Sequence, residues 1–365
     1  MEIPDIDRIL EKLSAGAKYA EVRFMGTKSS SMSYRNEEFT GQDFSETSGI
    51  AVRCLNESIA ISFIDSLSSE KIDRGIGMAL KNSRKPGRNK LDQSGGLTAS
   101  WNKLGKKLVV DTDPSTKSEF LRDCSLTMKN NGADVRINAL FDSVTESIFM
   151  NSSGSKIEGN FSRIGYMHLT GVKGPDGFEQ SYQQFGVTGG YDDFENLHIQ
   201  EKIPQELNSL KEASIAHTIN PGVYDVIVGP DISGIVAHES CGHPTEFDRI
   251  RGREGSLAGE SFLSGKKFPF RIGSEVVNVI DDPTIPNSYG YYMYDDEGIK
   301  SRKRYLYRSG KTDKFIHSRE SAAIIGVDPN GGGRSSSWDM EPLARMSTTY
   351  IEPGDYELDE LIENI

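Results

Sequence analysis

The sequence predicts an α+β fold in three parts: an N-terminal α/β unit, a middle antiparallel meander with helices, and a C-terminal, mainly antiparallel β domain carrying a motif helix. Three observations lead there. Ile6, Ile9, Leu10 and Leu13 make a helical apolar stripe, and several strand-like runs and a second helical stretch follow. Short alternating runs punctuated by Gly and Asn fill residues 133–189. A third segment, from about Pro221, opens with a strand-like run and a Gly-Pro-Asp turn that starts a helix.

Taken in order, Pro4 and Asp5 start the first helix and Gly16 ends it. Strand-like runs follow at 21–25, 30–34, 48–53 and 60–65, and a helix at 70–82 stops before Ser83-Arg84-Lys85-Pro86-Gly87. Residues 85–107 are basic, rich in Gly, Ser and Asn, and read as a linker. A helix is expected at 115–131, then runs at 134–141, 145–150, 156–161, 163–172 and 178–189. Residues 192–214 are helical with an interruption at Pro204. Residues 223–228, bounded by Gly222 and Gly229, read as a buried strand, and Gly331-Gly332-Gly333 as a loop. The expected domains are 1–90, 105–214 and a metal-binding, β-rich 215–365, incomplete at its end.

Length and composition bound the function. At 365 residues the chain can bury more than one core, and 36% hydrophobic with 26% charged residues describes an ordinary soluble protein. A formal charge of −12 argues against a nucleic-acid partner, which needs a basic surface. No apolar run approaches the ~20 residues needed to span a bilayer, so no membrane partner is expected, and no signal peptide is evident. Three widely spaced cysteines, Cys54, Cys124 and Cys241, fit a reducing cytoplasm better than a disulfide framework.

The chemistry concentrates in His238-Glu239-Ser240-Cys241-Gly242-His243. Two imidazoles flanking a carboxylate are the elements of a zinc site that activates water. The spacing is one residue longer than HExxH. On a regular helix, His238 and His243 would stand about 140° apart and share no face. Convergence on one metal requires the helix to unwind, add a π-type turn or stop. Gly242 relaxes the backbone and Pro244 disfavours α geometry at His243, so a distortion is expected there.

These residues resemble the TldD/PmbA family of metallopeptidases, whose active member carries HExxxH. Ala20-Glu21-Val22-Arg23 and Ser48-Gly49-Ile50-Ala51-Val52-Arg53 resemble its N-terminal domain. The six-residue motif, followed by Glu246 and Asp248, resembles its zinc helix. Tyr292-Met293-Tyr294-Asp295-Asp296-Glu297-Gly298 and Arg345-Met346-Ser347-Thr348-Thr349-Tyr350-Ile351-Glu352-Pro353-Gly354 resemble its two later signature segments. The resemblance implies that His238 and His243 ligate Zn²⁺ and that Glu239 is the general base. It places the segment of Tyr292 and Tyr294 near a peptide cleft, and Arg345 reads either as orienting a carboxylate near that cleft or as a surface residue. It further implies peptides or unfolded protein segments as substrates, and a homodimer or a heterodimer with a related subunit.

The family's third ligand is a cysteine that follows the counterpart of the 345–354 segment, and no cysteine follows Cys241 here. Cys241 itself reads as a buried thiol, while Glu246 and Asp248 are alternative oxygen donors. A non-catalytic or truncated subunit, binding peptide or a partner without a complete metal site, is therefore the competing reading. Gly331-Gly332-Gly333-Arg334 lacks the Lys-Ser/Thr of a P-loop, and no serine sits in a nucleophile elbow.

Overall fold

The computed structural model describes residues 3–175, 177–256 and 259–363. It is built on one seven-stranded sheet. Its strands are β1 (Tyr19–Arg35), β2 (Glu38–Leu55), β3 (Ile59–Ile64), β4 (Thr98–Lys103), β5 (Val135–Asn151), β6 (Lys156–Lys173) and β7 (Phe178–Thr188), in the order β3-β2-β1-β5-β6-β4, with β7 also paired to β6. All pairs are antiparallel except β4–β6. β1 pairs with both β2 and β5, so the regions expected as separate N-terminal and middle domains share a continuous sheet. The expected short runs fuse into strands of up to 18 residues. The 85–107 segment, read as a linker, contains β4 because a partner more than fifty residues away supplies its hydrogen bonds.

Strand alternation divides the sheet into two working faces. Ala20, Val22, Phe24, Met32 and Tyr34 of β1 meet the helices. Helices α1 (Ile6–Ser14) and α2 (Ser69–Ser83) cover one end, and α3 (Pro114–Asn130) covers the other. α4 (Tyr191–Glu195) and α5 (Ile199–Ile215) complete that second core. Ile203, Leu207 and Leu210 keep α5 in the core even though Pro204 lies within the helix. α1 forms where expected: Asp5 accepts the Arg8 amide as N-cap, and Ile6, Ile9 and Leu13 are buried.

The opposite face carries Glu21, Arg23, Met25 and Thr27, and it meets the C-terminal region. That region begins with α6 (Pro230–Val236), a π-turn at Ala237–Gly242, α7 (His243–Thr245) and α8 (Phe247–Ile250). A small antiparallel sheet joins β8 (Val279–Asp281), β9 (Arg304–Arg308) and β10 (Lys311–Thr312). After α9 (Arg319–Ile325), β11 (Gly333–Arg334) pairs with β12 (Leu343–Ala344), and β13 (Thr349–Ile351) pairs with β8. α10 (Leu358–Glu363) follows.

One expectation fails here. Residues 223–228 form no strand and are exposed, with Val223 and Val226 at 103% and 72% of full exposure. Among the described residues no strand pairs with them, and β propensity without a partner ladder makes no strand. The tyrosine-rich segment at 289–294 is turn and bend with only an isolated bridge, Tyr294 to Lys300.

Buried charge joins the sheet to the C-terminal region. Arg53 Nε lies 2.6 Å from Glu21 Oε1, and Arg53 Nη2 lies 2.7 Å from Glu297 Oε1. Glu297 also accepts the Arg319 backbone amide, and the Arg319 guanidinium reaches Asp92. Burial opposes the charge on Arg53, but Glu21 and Glu297 outweigh it and raise its pKa. Arg53→Met leaves both carboxylates buried and uncompensated, so it is expected to cost about 3–5 kcal/mol in urea unfolding. Lys28→Met, which removes an exposed pair with Glu46, serves as the control and should change little. Equal small effects from both substitutions would refute this account of the junction.

Candidate metal centre

The motif lies where α6 passes into the π-turn. A π-turn closes a hydrogen bond between residues five apart, and the His243 amide donates to the His238 carbonyl. That register stacks two residues which a regular helix would splay. The imidazole centroids are 4.7 Å apart with the rings nearly perpendicular at 87°. Gly242 has ordinary helical φ −70° and ψ −64°, so backbone freedom does not explain the glycine. A Cβ there would lie 1.7 Å from Met346 Sδ, so its role is to admit the Met346 side chain.

One ligand atom from each of His238, Glu239 and His243 lies within 4.8 Å of the others. Zinc bonds of about 2.1 Å hold neighbouring ligands about 3.4 Å apart, so this donor set fits a metal after a small closure. His238 and Glu239 are exposed, with side chains 52% and 64% accessible, and His243 is partly buried at 25%. Burial, and then the neighbouring His243, lower the pKa of His238 and favour the neutral imidazole that metal binding requires.

Glu246 orients the second imidazole. It is fully buried, and its Oε2 lies 2.9 Å from His243 Nδ1. With the proton on Nδ1 directed to Glu246, Nε2 presents its lone pair outward. Arg249 Nε donates to the same carboxylate at 3.2 Å, while its Nη2, 3.1 Å from His243 Nδ1, is a close neighbour and not a hydrogen-bond partner in this tautomer. The Met346 amide donates to Glu246 Oε1. Glu246 is thus a positioning carboxylate in this geometry. Asp248, the other acidic candidate, accepts from Ser318 Oγ and the Ala344 amide and serves the interior.

Cys241 points into the core formed with Val279, Leu306 and Tyr307, and burial pushes its thiol up to about 11. It is absent from the ligand cluster, in keeping with the buried-thiol expectation. Tyr292 is buried, donates from its hydroxyl to the Gly331 carbonyl at 2.7 Å, and lines a cavity together with Tyr294. Arg345 is engaged by both oxygens of Glu254, at 2.7 and 2.6 Å, and lines a neighbouring groove. Sequence reading missed the orienting role of Glu246. Its spacing from His243 was visible, but Glu246 has an extended ψ of 111°, so helix periodicity does not predict the contact.

The PmbA/TldA metallopeptidase family matches this chain through its C-terminal domain over residues 221–365 and its domain 1 over residues 20–83. A metalloprotease of Methanothermobacter thermautotrophicus is 31% identical over 367 residues, covering 98% of this chain and 77% of that protein. A zinc metalloprotease TldD homolog of Saccharolobus solfataricus is 36% identical over 161 residues, 44% of this chain and 33% of that protein. The crystal structure of TldE from Thermococcus kodakarensis shares the fold, with a TM-score of 0.71 at 17% identity over 99% of this chain and 80% of that one. The order of the two matched domains and the likeness over nearly the whole of this chain agree: the chain belongs to the TldD/PmbA family of metallopeptidases.

Proposed function

We propose that the chain is a zinc-dependent peptidase that hydrolyses peptides or unfolded protein segments. The observation carrying this reading is the convergence of His238, His243 and Glu239 within 4.8 Å on an exposed π-turn. His238 and His243 would hold the zinc. When bound, zinc supplies a Lewis acid that lowers the pKa of water to about 7 and polarises the scissile carbonyl. Glu239 accepts a proton from the attacking water and returns it to the leaving amine. Glu246 and Arg249 keep the His243 ring aimed. Tyr292, Tyr294 and Arg345 border the substrate path, Arg345 fixed there by Glu254.

One observation favours a second reading, a subunit that binds peptide or a partner without a complete metal site. Among the described residues, the cluster offers two imidazoles and the carboxylate assigned to proton transfer, with no further protein donor. Metal content separates the two readings. About one zinc per chain, with hydrolysis lost to a chelator and restored by zinc, supports the peptidase. Absence of bound zinc after zinc loading supports the second reading.

A homodimer, or a heterodimer with a related subunit, is proposed with either reading, supported by the family resemblance and the likeness to TldE. No described helix is long and apolar enough to cross a membrane. The three cysteines are free and buried, which supports a cytoplasmic location.

Glu239→Gln is expected to keep the zinc stoichiometry and reduce peptide hydrolysis by about 10²-fold or more; wild-type turnover in that variant would refute the assignment. Glu246→Gln should weaken zinc affinity by about 10–100-fold in a chelator competition titration. An unchanged affinity would show that Glu246 does not orient His243.

A further inference from the structure

A partly open cavity of ≈ 170 Å³ lies between the sheet and the C-terminal region, and three of its lining residues are Arg23, Arg163 and Arg334. Other arginines buried nearby each meet a carboxylate: Arg53 meets Glu297, Arg304 meets Asp281, Arg319 meets Asp92 and Arg253 meets Glu320. Among the described residues the hydrogen bonds of the three cavity arginines go only to neutral groups, and Asp296 is the first carboxylate whose charge acts on Arg23 and Arg163. Arg23 reaches Ser335 Oγ and the carbonyls of Ser337, Trp338 and Met340, and its buried Nε has no partner. Arg163 Nε donates to the Tyr289 carbonyl at 3.1 Å, with the guanidinium 4.8 Å from the Phe161 ring centroid. Arg334 Nη1 donates to the Met346 carbonyl at 3.2 Å and lies over Tyr292.

Two acids also line the cavity: burial, then the charge of Glu297, push Asp295 up to about 8, and Asp296 supplies one negative charge against the three guanidinium groups. Asp295 accepts from the Glu297, Ile299 and Gly333 amides, and Asp296 accepts from the Ser335 amide. Burial, then the like charge of Arg334, push Arg163 down to about 10. A guanidinium group held in this state gains from an anion that forms charge-assisted hydrogen bonds with it.

The cavity is connected to the metal centre through one short segment. Arg334, Ser335 and Ser336 also line the adjoining groove, which runs to Arg345 and Met346. The Met346 carbonyl receives Arg334, its amide donates to Glu246, and its thioether packs on Gly242 of the motif. The groove thus ends at Met346, the residue that packs against Gly242 of the motif.

We propose that this cavity binds a carboxylate of the peptide substrate, either its C-terminus or an acidic side chain, through Arg163 and Arg334, with Arg23 adding positive charge at its wall. The assignment rests on the peptidase reading above and makes the enzyme selective for anionic peptides. Trp101 and Phe161, stacked 5.2 Å apart, form an apolar side to the same cavity and would shield the ion pair from water.

The test uses the full chain carrying Glu239→Gln, in zinc-containing buffer, and three alanine pentapeptides labelled with an uncharged boron-dipyrromethene dye and read by fluorescence polarisation. One has a free C-terminus, one a C-terminal amide, and one an amide with a single glutamate. At least one anionic peptide is expected to bind about tenfold or more tightly than the neutral amide. Which one does so identifies the source of the carboxylate. Arg163→Met and Arg334→Met should each reduce that advantage severalfold, whereas Arg163→Lys should retain part of it. Equal binding of all three peptides, or an advantage that survives both methionine substitutions, would overturn the proposal. The first comparison needs no cavity variant to fold. Hydrolysis by the unsubstituted chain is measured separately: an anionic preference without hydrolysis overturns the peptidase reading alone, and hydrolysis without a preference overturns the cavity assignment alone.

Discussion

The contact on which the structure most depends is the buried charge cluster of Arg53, Glu21, Glu297 and Arg319. Most of β1 and β2 near Arg53 is covered on both faces, by helices on one side and the C-terminal region on the other. Apolar residues on the helix face are ordinary for a strand of this kind. On the opposite face the interior is polar, and the polar groups must find one another across the junction. A buried ion is tolerated only when its partners are in place. The correct seating of the C-terminal region is therefore selected against misaligned alternatives, which would leave Arg53 or Glu297 unpaired. Gly333 makes the fit closer still, since a Cβ there would fall 2.2 Å from Glu297 Oε2.

That seating delivers the chemistry. The 295–297 turn supplies Glu297 to the junction and Asp295 and Asp296 to the cavity wall. β11 and β12 follow in the same layer, and β12 leads into Met346, which packs under the π-turn. The metal motif thus rests on a segment whose position is set by the sheet. Its rings converge because the π-turn replaces helical register with a five-residue repeat, and Glu246, carried on the next short turn, aims one of them. The exposed side chains of His238 and Glu239 leave the cluster open to solvent, while Cys241, two residues after Glu239, faces the core.

Much of the fold was legible in the sequence. The α1 stripe, the α2 and α3 boundaries and the antiparallel strands follow from local periodicity and capping, which act over a few residues. The number and length of strands did not. β1 runs through Gly26 and a serine-rich stretch that breaks the apolar pattern, and only pairing with β2 and β5 on either side holds it as one strand. The same dependence on partners explains β4, hidden in what reads as a linker, and residues 223–228, whose strand-like composition meets no ladder.

The sequence by itself carried the family resemblance, in four segments in the right order, and offered two imidazoles and a carboxylate within six residues as candidate ligands, and it also foretold a distortion in the helix between them. Tertiary structure decided the rest. It chose a π-turn over an unwound helix, reassigned Gly242 from backbone freedom to the accommodation of Met346, and turned Glu246 into the carboxylate that orients His243. It also gathered Arg23, Arg163 and Arg334, separated by as many as 311 positions, around one cavity. No pattern of neighbouring residues encodes that meeting, since it depends on which face of which strand each arginine occupies and on the ion pairs that fix the layer above.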